Sequence, residues 1–239
     1  MINIFKTPKK TVKKFSKYLA MEINNSANNK ENFFIAISGG STPQLLFKKL
    51  NKKYKDKINW SYVHIFWGDE RCVSSESLES NYGVAKELLL NSIDIPIENI
   101  HHINGEEDPE IEAKRYSEEI LKNLPIKNDL PSFDLCLLGL GSDGHTASIF
   151  PDQMELLKSD KICEVAVHPE TGQKRITTTG SVINNSKKVS FLVTGESKRK
   201  VVAEIINCEN GYLNYPASHI KPKNSKLIWY LDKSASQYL

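Results

Sequence analysis

The sequence predicts an α/β protein in which a mostly parallel, Rossmann-like sheet lies between two layers of helices. Short apolar runs without polar alternation recur along the chain, and such runs are typical of strands that are covered on both faces. Stretches of helical periodicity follow most of these runs, which favours a parallel sheet in a three-layer α/β/α arrangement. The apolar runs are FFIAI (33–37), VHIFW (63–67), FDLCLLGLG (133–141), VSFLVTG (189–195) and LIWYL (227–231).

The spacing of the first stretch predicts an amphipathic helix. Val12, Phe15 and Leu19 share one face of it, and we expect this face to pack on the sheet. The opposite face carries lysines that we expect to be solvated: Lys9, Lys10, Lys13, Lys14 and Lys17.

A further helix is predicted after Asp108. An aspartate is a good N-cap residue, and Pro109 suits the first helical position. Apolar residues then follow at a spacing that predicts one buried face of this helix: Ile111, Tyr116, Ile120 and Leu124.

Open parallel sheets bind ligands beyond the carboxyl ends of their strands, so the polar residues after each run are candidate site residues. After the first run come Gly39, Gly40, Ser41 and Thr42, and Pro43 then suits the first turn of a helix. Glycines let the backbone approach a ligand, and free N–H groups at a helix N-terminus favour an anion such as phosphate. A strand-to-helix turn without a ligand is the alternative, because neither a Walker A loop nor GxGxxG is present.

Asp69, Glu70 and Arg71 follow the second run. Two carboxylates and a guanidinium at one strand end indicate either groups that bind a ligand or a structural network of ion pairs, and both interpretations stay open. Cys72 next to Arg71 would be a reactive thiolate if its pKa were lowered, but no Cys/His motif supports that role.

A glycine-rich turn with Asp143 and His145 follows the third run. A histidine fixed by such a turn, directly after a buried strand, suits acid–base catalysis near neutral pH. We expect no metal site here, because the two residues lack further ligands at a useful spacing. Farther along, Arg175 and Lys198 add positive charge, and together with residues 39–42 they predict a phosphate pocket.

Length and composition favour one domain over residues 1–239. Hydrophobic residues make up 39% of the chain and charged residues 26%, which excludes collagen-like and wholly disordered proteins. No repeat, low-complexity tract or linker divides the chain. The net charge is +3, and only four of the 32 basic residues are arginines, which is a poor signature for nucleic-acid binding. No apolar run is long enough to cross a membrane.

Cysteine usage and the N-terminal composition predict a cytoplasmic protein. Cys72, Cys136, Cys163 and Cys208 are spaced for neither a zinc site nor a CxxC motif, so we expect free thiols in a reducing compartment. The N-terminal residues form no apolar signal segment.

Taken together and in this order, the segments resemble the 6-phosphogluconolactonases, a branch of the superfamily that also holds the glucosamine-6-phosphate isomerases. Arg71 after GDE and the tail TASIFP after DGH are typical of the lactonases, whereas the isomerases typically read DEY and DGHIAFNEP and use a Glu that has no counterpart here. The match runs through SGGSTP, GDERCV, Ser80-Asn81, NIHHI, EAKRYSEEI, LLGLGSDGHTASIFP, KRIT, VTGESK and Pro216-Ala217.

The resemblance implies hydrolysis of 6-phospho-D-glucono-1,5-lactone to 6-phosphogluconate in the oxidative pentose phosphate pathway, without a cofactor or a metal. It implies that His145 is the general base and that Asp143 or Asp69 orients its imidazole or a sugar hydroxyl. The phosphate would lie on residues 39–42, held by Arg71, Arg175 and Lys198 in some combination.

The expected partner is the sugar-phosphate lactone, with no nucleic acid and no membrane, and the protein is expected to be a monomer or a homodimer. Two other functions remain open from the sequence. One is an aminosugar-phosphate isomerase or deaminase, and the other is a non-catalytic sensor of sugar phosphates on the same fold.

Overall fold

A parallel sheet forms the centre of the computed structural model, which describes residues 1–222 and 226–239; residues 223–225 of the predicted domain lie outside the described residues. The elements, in chain order, are β1 (Ile2–Phe5), α1 (Pro8–Asn28), β2 (Phe33–Ile37), α2 (Ser41–Tyr54), β3 (Val63–Trp67), β4 (Asp69–Arg71), α3 (Asn81–Leu88), β5 (Ile100–His101), α4 (Pro109–Asn123), β6 (Ile126–Lys127), β7 (Leu130–Pro131), β8 (Leu135–Leu138), β9 (Cys163–Val167), β10 (Lys174–Thr178), α5 (Gly180–Asn184), β11 (Lys188–Val193), α6 (Arg199–Asn207) and β12 (Lys226–Asp232).

The central sheet has the strand order β1-β12-β11-β8-β2-β3-β5, and each neighbouring pair is parallel. The chain leaves β2 in one direction to form β3 and β5, and then returns to the other side of β2 as β8. This reversal leaves a crevice at the carboxyl ends of β2 and β8, where α/β sheets bind ligands.

Helices cover both faces of this sheet. Tyr230 of β12 packs on Phe15 of α1, with their ring centroids 5.0 Å apart. The neighbouring Trp229 points to the opposite face, stacks on Phe191 at 4.1 Å and lines a recess with the apolar side chains of α6. Helix α2 packs beside α1, while α4 packs against β9 and β10. The predicted three-layer α/β/α class with a mostly parallel sheet is therefore confirmed.

Most of the predicted elements lie where the sequence placed them. The first two apolar runs form β2 and β3 without a change of bounds, and the other three form the shorter β8 and β11 and the longer β12. The apolar face of α1 is buried and its lysines are exposed. Asp108 caps α4, because its carboxylate accepts hydrogen bonds from the backbone N–H groups of Glu110 and Ile111.

The burial predicted for Ile111 is wrong. Its side chain is 61% exposed, whereas Tyr116, Ile120 and Leu124 are buried. At about 100° per residue, the five positions between Ile111 and Tyr116 rotate their side chains about 140° apart around the helix. Glu112, four positions before Tyr116, occupies the buried face instead.

Several strands were not predicted. β1 is an edge strand that pairs with β12, and β6 and β7 form a two-stranded hairpin. The small antiparallel sheet β4-β10-β9 joins segments about a hundred residues apart in the chain, and Arg71 pairs with Arg175 in its register. This last sheet bears directly on function, because it places two predicted phosphate ligands side by side.

A chain of titratable groups at the edge of the central sheet predicts sensitivity to acid. His64 Nδ1 lies 3.0 Å from His101 Nε2, and His101 Nδ1 lies 2.6 Å from Glu119 Oε1. Burial, and to a smaller extent the nearby His101, lower the pKa of His64 to about 4. A histidine in an unfolded chain takes up its proton near a pKa of about 6.5. The unfolded state therefore binds more protons than the folded state between these two values.

Because of this difference, the free energy of unfolding is expected to fall as the pH drops through about 6.5 toward about 4. Solvent screening of the half-buried ring keeps the expected loss from His64 at about 1 kcal/mol between about pH 7.5 and pH 5. His64→Gln, which cannot titrate, should lose less stability over this range in urea denaturation. His219→Gln is the matched control. An equal acid-induced loss in the wild type and in His64→Gln would contradict the role of His64.

Candidate functional site

A cleft with a volume of about 210 Å³ opens at the carboxyl ends of β2, β3, β8 and β11. It occupies the crevice at which the strand order reverses. Nine of the ten predicted site residues line this cleft: Gly39, Gly40, Ser41, Thr42, Asp69, Arg71, His145, Arg175 and Lys198. Asp143, the tenth, does not line the cleft but contacts His145.

His145 and Asp143 form a hydrogen-bonded pair at one wall of the cleft. His145 Nδ1 lies 2.7 Å from Asp143 Oδ1, and the two side chains are 27% and 42% exposed. Burial alone would raise the pKa of Asp143, but the hydrogen bond from His145 and its charge lower this pKa below the usual value. The carboxylate therefore stays ionised and holds the proton of the imidazole on Nδ1, which leaves Nε2 as the basic nitrogen.

The turn that holds this pair requires glycine at position 141. A Cβ atom built there would lie 2.1 Å from His145 Nδ1 and 2.2 Å from Asp143 Oδ1. The main chain closes the turn as well, since the N–H of Gly141 donates to the carbonyl of His145 at 2.8 Å. The sequence Gly-Ser-Asp-Gly-His thus folds into a turn that brings the carboxylate of Asp143 against the ring of His145, two residues farther along the chain.

Asp69 lies on the cleft wall but is bonded to a different partner. Its side chain is only 5% exposed, and its Oδ2 accepts a hydrogen bond from Ser148 Oγ at 2.7 Å. Its main-chain carbonyl accepts a hydrogen bond from Asn81 Nδ2 at 2.9 Å. Of the two carboxylates considered for orienting the imidazole, Asp143 is the one that contacts it.

Glu70, the neighbouring carboxylate, organises the main chain. It accepts hydrogen bonds from the N–H groups of Asn81 at 2.8 Å and Tyr82 at 2.7 Å, where α3 begins, and from its neighbour Arg71 at 2.8 Å. Burial raises the pKa of Glu70, while these backbone hydrogen bonds act in the opposite direction. Of the two consecutive carboxylates, Glu70 is therefore structural, whereas Asp69 faces the cleft.

Two arginines lie side by side in the lining of the cleft. Arg71 of β4 and Arg175 of β10 occupy paired positions of an antiparallel ladder, where like charges repel. Among the described residues no salt bridge joins either arginine to a carboxylate, and the Nε atoms of both are buried without a hydrogen-bond acceptor. Burial lowers the pKa of Arg175, and the charge of Arg71 lowers it further. An anion between the two guanidinium groups would relieve both conditions.

The remaining predicted anion-binding groups surround the same space. Within residues 1–222 and 226–239, no side chain caps the N-terminus of α2 at Gly40, so the N–H groups of its first turn remain available to an anion. Thr42 Oγ1 lies 2.9 Å from Thr194 Oγ1, which ties this turn to the end of β11. Burial lowers the pKa of Lys198, and the charge of Asp143 partly offsets this effect.

Sequence reasoning assigned no role to three residues that build the cleft. Asn81 and Thr194 line it, and Ser148 holds Asp69. Two of them lie in segments that carried the family resemblance, since Asn81 belongs to Ser80-Asn81 and Ser148 belongs to TASIFP. Thr194 lies two residues before Glu196, at a strand end where polar residues were expected to matter.

The structure also bears on a reactive cysteine, a metal site and a membrane-crossing helix. Burial, and to a smaller extent nearby carboxylates such as Glu70, raise the pKa of Cys72 to about 11. Its thiol is therefore protonated at neutral pH and poorly suited to be a nucleophile. In the part of the chain that the structure describes, no group of three His, Cys, Asp or Glu side chains is arranged to hold a metal ion. Among residues 1–222 and 226–239, none of the helices has the length and apolar character that a membrane crossing requires.

Known proteins with the same architecture share much of this sequence. The family model for glucosamine-6-phosphate isomerases/6-phosphogluconolactonase matches residues 6–229. The 6-phosphogluconolactonase of Haemophilus influenzae is 47% identical over 206 residues, which are 86% of this chain and 87% of that protein. The 6-phosphogluconolactonase of Aggregatibacter actinomycetemcomitans is 45% identical with the same coverage. The solved structure of 6-phosphogluconolactonase from Trypanosoma brucei is 28% identical, with a TM-score of 0.87 and coverage of 100% of this chain and 98% of that one.

Proposed function

The chain belongs to the glucosamine-6-phosphate isomerase/6-phosphogluconolactonase family, and we propose from this premise that it is the enzyme that hydrolyses 6-phospho-D-glucono-1,5-lactone to 6-phosphogluconate. Two relatives that are named for this activity are 47% and 45% identical to this chain, and each alignment covers most of both proteins. The observation that carries the proposal is the layout of the cleft. His145, the base of a histidine–carboxylate pair, lines the cleft together with two arginines that have no carboxylate partner among the residues that the structure describes.

In the proposed mechanism His145 is the general base. Its Nε2 takes a proton from a water molecule while the water oxygen forms a bond to C1 of the lactone, and the carbonyl electrons move onto the exocyclic oxygen. The tetrahedral intermediate then breaks the bond between C1 and the ring oxygen, which receives the proton from His145. Asp143 stabilises the imidazolium between the two steps, and the products are an acid and a hydroxyl group.

The phosphate of the substrate is proposed to bind between Arg71 and Arg175, with Lys198 and the first turn of α2 as further contacts. Each charge-assisted hydrogen bond contributes about 1.5–3 kcal/mol. Asp69 is proposed to accept a hydrogen bond from a sugar hydroxyl, because Ser148 occupies only one of its carboxylate oxygens. These roles account for a cleft whose lining includes a histidine, a carboxylate and several cationic side chains.

Hydrolysis of an activated six-membered lactone requires only a modest acceleration. A general base supplies about 10²–10⁴-fold and an oxyanion donor about 10²–10³-fold. We therefore propose a reaction without a metal or a cofactor. We also propose a cytoplasmic enzyme built as a single domain, which is a monomer or a homodimer and has a sugar phosphate rather than a nucleic acid as its partner.

The test is a coupled assay in which a dehydrogenase forms the lactone from glucose 6-phosphate and the decay of the lactone is followed with and without this protein. Spontaneous hydrolysis is measured separately and subtracted. We expect decay well above that background, and a much slower reaction with the lactone that lacks the phosphate. A rate equal to the background would overturn the proposal and favour a sugar-phosphate sensor, and release of ammonia from glucosamine 6-phosphate would favour the isomerase.

Asp143→Asn tests the carboxylate behind the base. The amide keeps the size of the side chain but removes the charge that stabilises the imidazolium, so kcat is expected to fall about 10- to 150-fold, as for the loss of a hydrogen bond to a charged group. KM should stay within about twofold, because this carboxylate does not line the cleft. Asp152→Asn, an exposed change near the same loop, is the control. A larger effect on KM than on kcat would place Asp143 in substrate binding instead.

A further inference from the structure

The catalytic turn is supported from behind by a side chain outside the cleft. Gly144 lies between Asp143 and His145 with a φ angle of +83°, and a Cβ atom built on it would lie 2.4 Å from Cδ1 of Tyr215. The aromatic ring therefore packs directly on the main chain of the turn. The carbonyl of Gly144 also accepts a hydrogen bond from the N–H of Ala217 at 3.0 Å. The motif Pro216-Ala217, to which the proposed mechanism gives no role, belongs to this support.

Tyr215 is itself held in place by a buried carboxylate. Its hydroxyl donates a hydrogen bond to Glu204 Oε2, and Glu204 is only 6% exposed in the middle of α6. This hydrogen bond is the main cause that raises the pKa of Tyr215 to about 12, with burial adding to it. The phenol remains protonated and donates at any pH at which the enzyme would work.

Helix α6 connects this support to a second residue of the cleft. It begins at Arg199, directly after Lys198, which lines the cleft. The charge of Asp143 acts on Lys198, so the two groups lie in the same electrostatic environment. A displacement of Tyr215 relative to α6 would therefore change how the turn faces the lysine as well as how His145 faces the cleft.

We propose that Tyr215, anchored by Glu204, is a positioning residue that holds the turn 141–145 so that His145 Nε2 faces the reacting carbon. Tyr215 does not line the cleft, and it acts through Gly144 rather than on the substrate. The inference rests on the proposed lactonase function for its kinetic readout. The packing on Gly144 and the anchoring hydroxyl make separate contributions, which two substitutions distinguish.

Tyr215→Leu removes both the ring and the hydroxyl. We expect kcat to fall about 10- to 100-fold, in line with a misplacement of catalytic groups by a fraction of an ångström to one ångström, while KM stays within about twofold. Tyr215→Phe keeps the ring on Gly144 and should lose only a few-fold in kcat. Glu204→Gln keeps an acceptor for the hydroxyl of Tyr215, so this variant should retain nearly wild-type kcat. Tyr212→Phe, in the neighbouring turn, is the matched control.

A split between kcat and KM separates positioning from a merely structural role. If the turn shifts, His145 Nε2 no longer faces the reacting carbon, so kcat falls in Tyr215→Leu and less in Tyr215→Phe, while KM is retained. If Tyr215→Leu does not fold, the kcat of Tyr215→Phe decides. Folded variants with wild-type kcat would overturn the proposal.

A second measurement keeps this proposal apart from the lactonase activity. The ¹⁵N resonances of the His145 ring report its contact with Asp143 whether or not the lactone is a substrate. We expect them to move in Tyr215→Leu and to stay in place in Tyr212→Phe. Moved resonances in a protein without lactonase activity would leave the positioning role intact and remove only the proposed function. Unmoved resonances in folded Tyr215→Leu would refute the positioning role.

Discussion

His145→Ala is expected to lower kcat for the lactone about 10²–10⁴-fold and to leave the Kd of the product 6-phosphogluconate within about twofold. The imidazole is the only group of the turn with a basic nitrogen directed at the cleft, because Asp143 occupies the other ring nitrogen. The proposed phosphate contacts are made by other side chains, which this change leaves in place. The rate must be measured above spontaneous hydrolysis, and the Kd by calorimetry.

Two controls sharpen this experiment. His168→Ala removes a histidine from the turn that joins β9 and β10, outside the lining of the cleft, and should retain wild-type kcat. His145→Asn keeps a polar group of similar size without a basic nitrogen and should be as inactive as the alanine variant. Near-normal turnover by either His145 variant would rule out the general base.

The second large effect is expected for Arg175→Gln. Loss of one charge-assisted hydrogen bond, which contributes about 1.5–3 kcal/mol, corresponds to an increase in KM of about 10- to 150-fold. The change in kcat should stay within a few-fold, because the phosphate is bound in the ground state and in the transition state alike. The preference for phosphorylated over non-phosphorylated lactone should shrink by the same factor as kcat/KM. Initial rates with both lactones measure each quantity.

Although Arg175→Gln weakens substrate binding, it is not expected to lower the stability of the ligand-free protein. Arg175→Gln removes one of two like charges that face each other across β4 and β10, so the Tm without ligand should stay the same or rise. Inorganic phosphate should raise the Tm of the wild type more than that of the variant. Arg199→Gln, which removes an arginine already paired with Glu196, is the control. A KM unchanged in Arg175→Gln would exclude this arginine from phosphate binding.

The sequence predicted the parts of the fold that depend on local patterns. Apolar runs such as Phe33–Ile37 and Val63–Trp67 were recognisable as strands because both faces are covered and no polar alternation interrupts them. The edge strand β1 was not recognisable. Its residues Ile2 and Ile4 are 44% and 47% exposed, and it is a strand only because β12 lies beside it.

The candidate site shows the same division. The position of each predicted residue at a strand end followed from the chain itself, as for His145 and Lys198. The partner of each residue did not, because Asp69 with Ser148 and Arg71 with Arg175 meet only after distant segments have folded together. The roles of Glu70 and Asp69 differ for the same reason. Adjacent carboxylates in a strand point to opposite sides, and only the tertiary structure decides which side holds the cleft.

The pairing of β1 with β12 has a consequence for biosynthesis. The first strand leaves the ribosome early, and its partner follows about 220 residues later, a delay of roughly 10–45 s at common translation rates of about 5–20 residues per second. During this time the apolar face of α1 also lacks Tyr230, on which Phe15 packs in the finished protein. The exposed lysines along the outer face of α1 carry like charges, which disfavour association of this waiting segment with other chains.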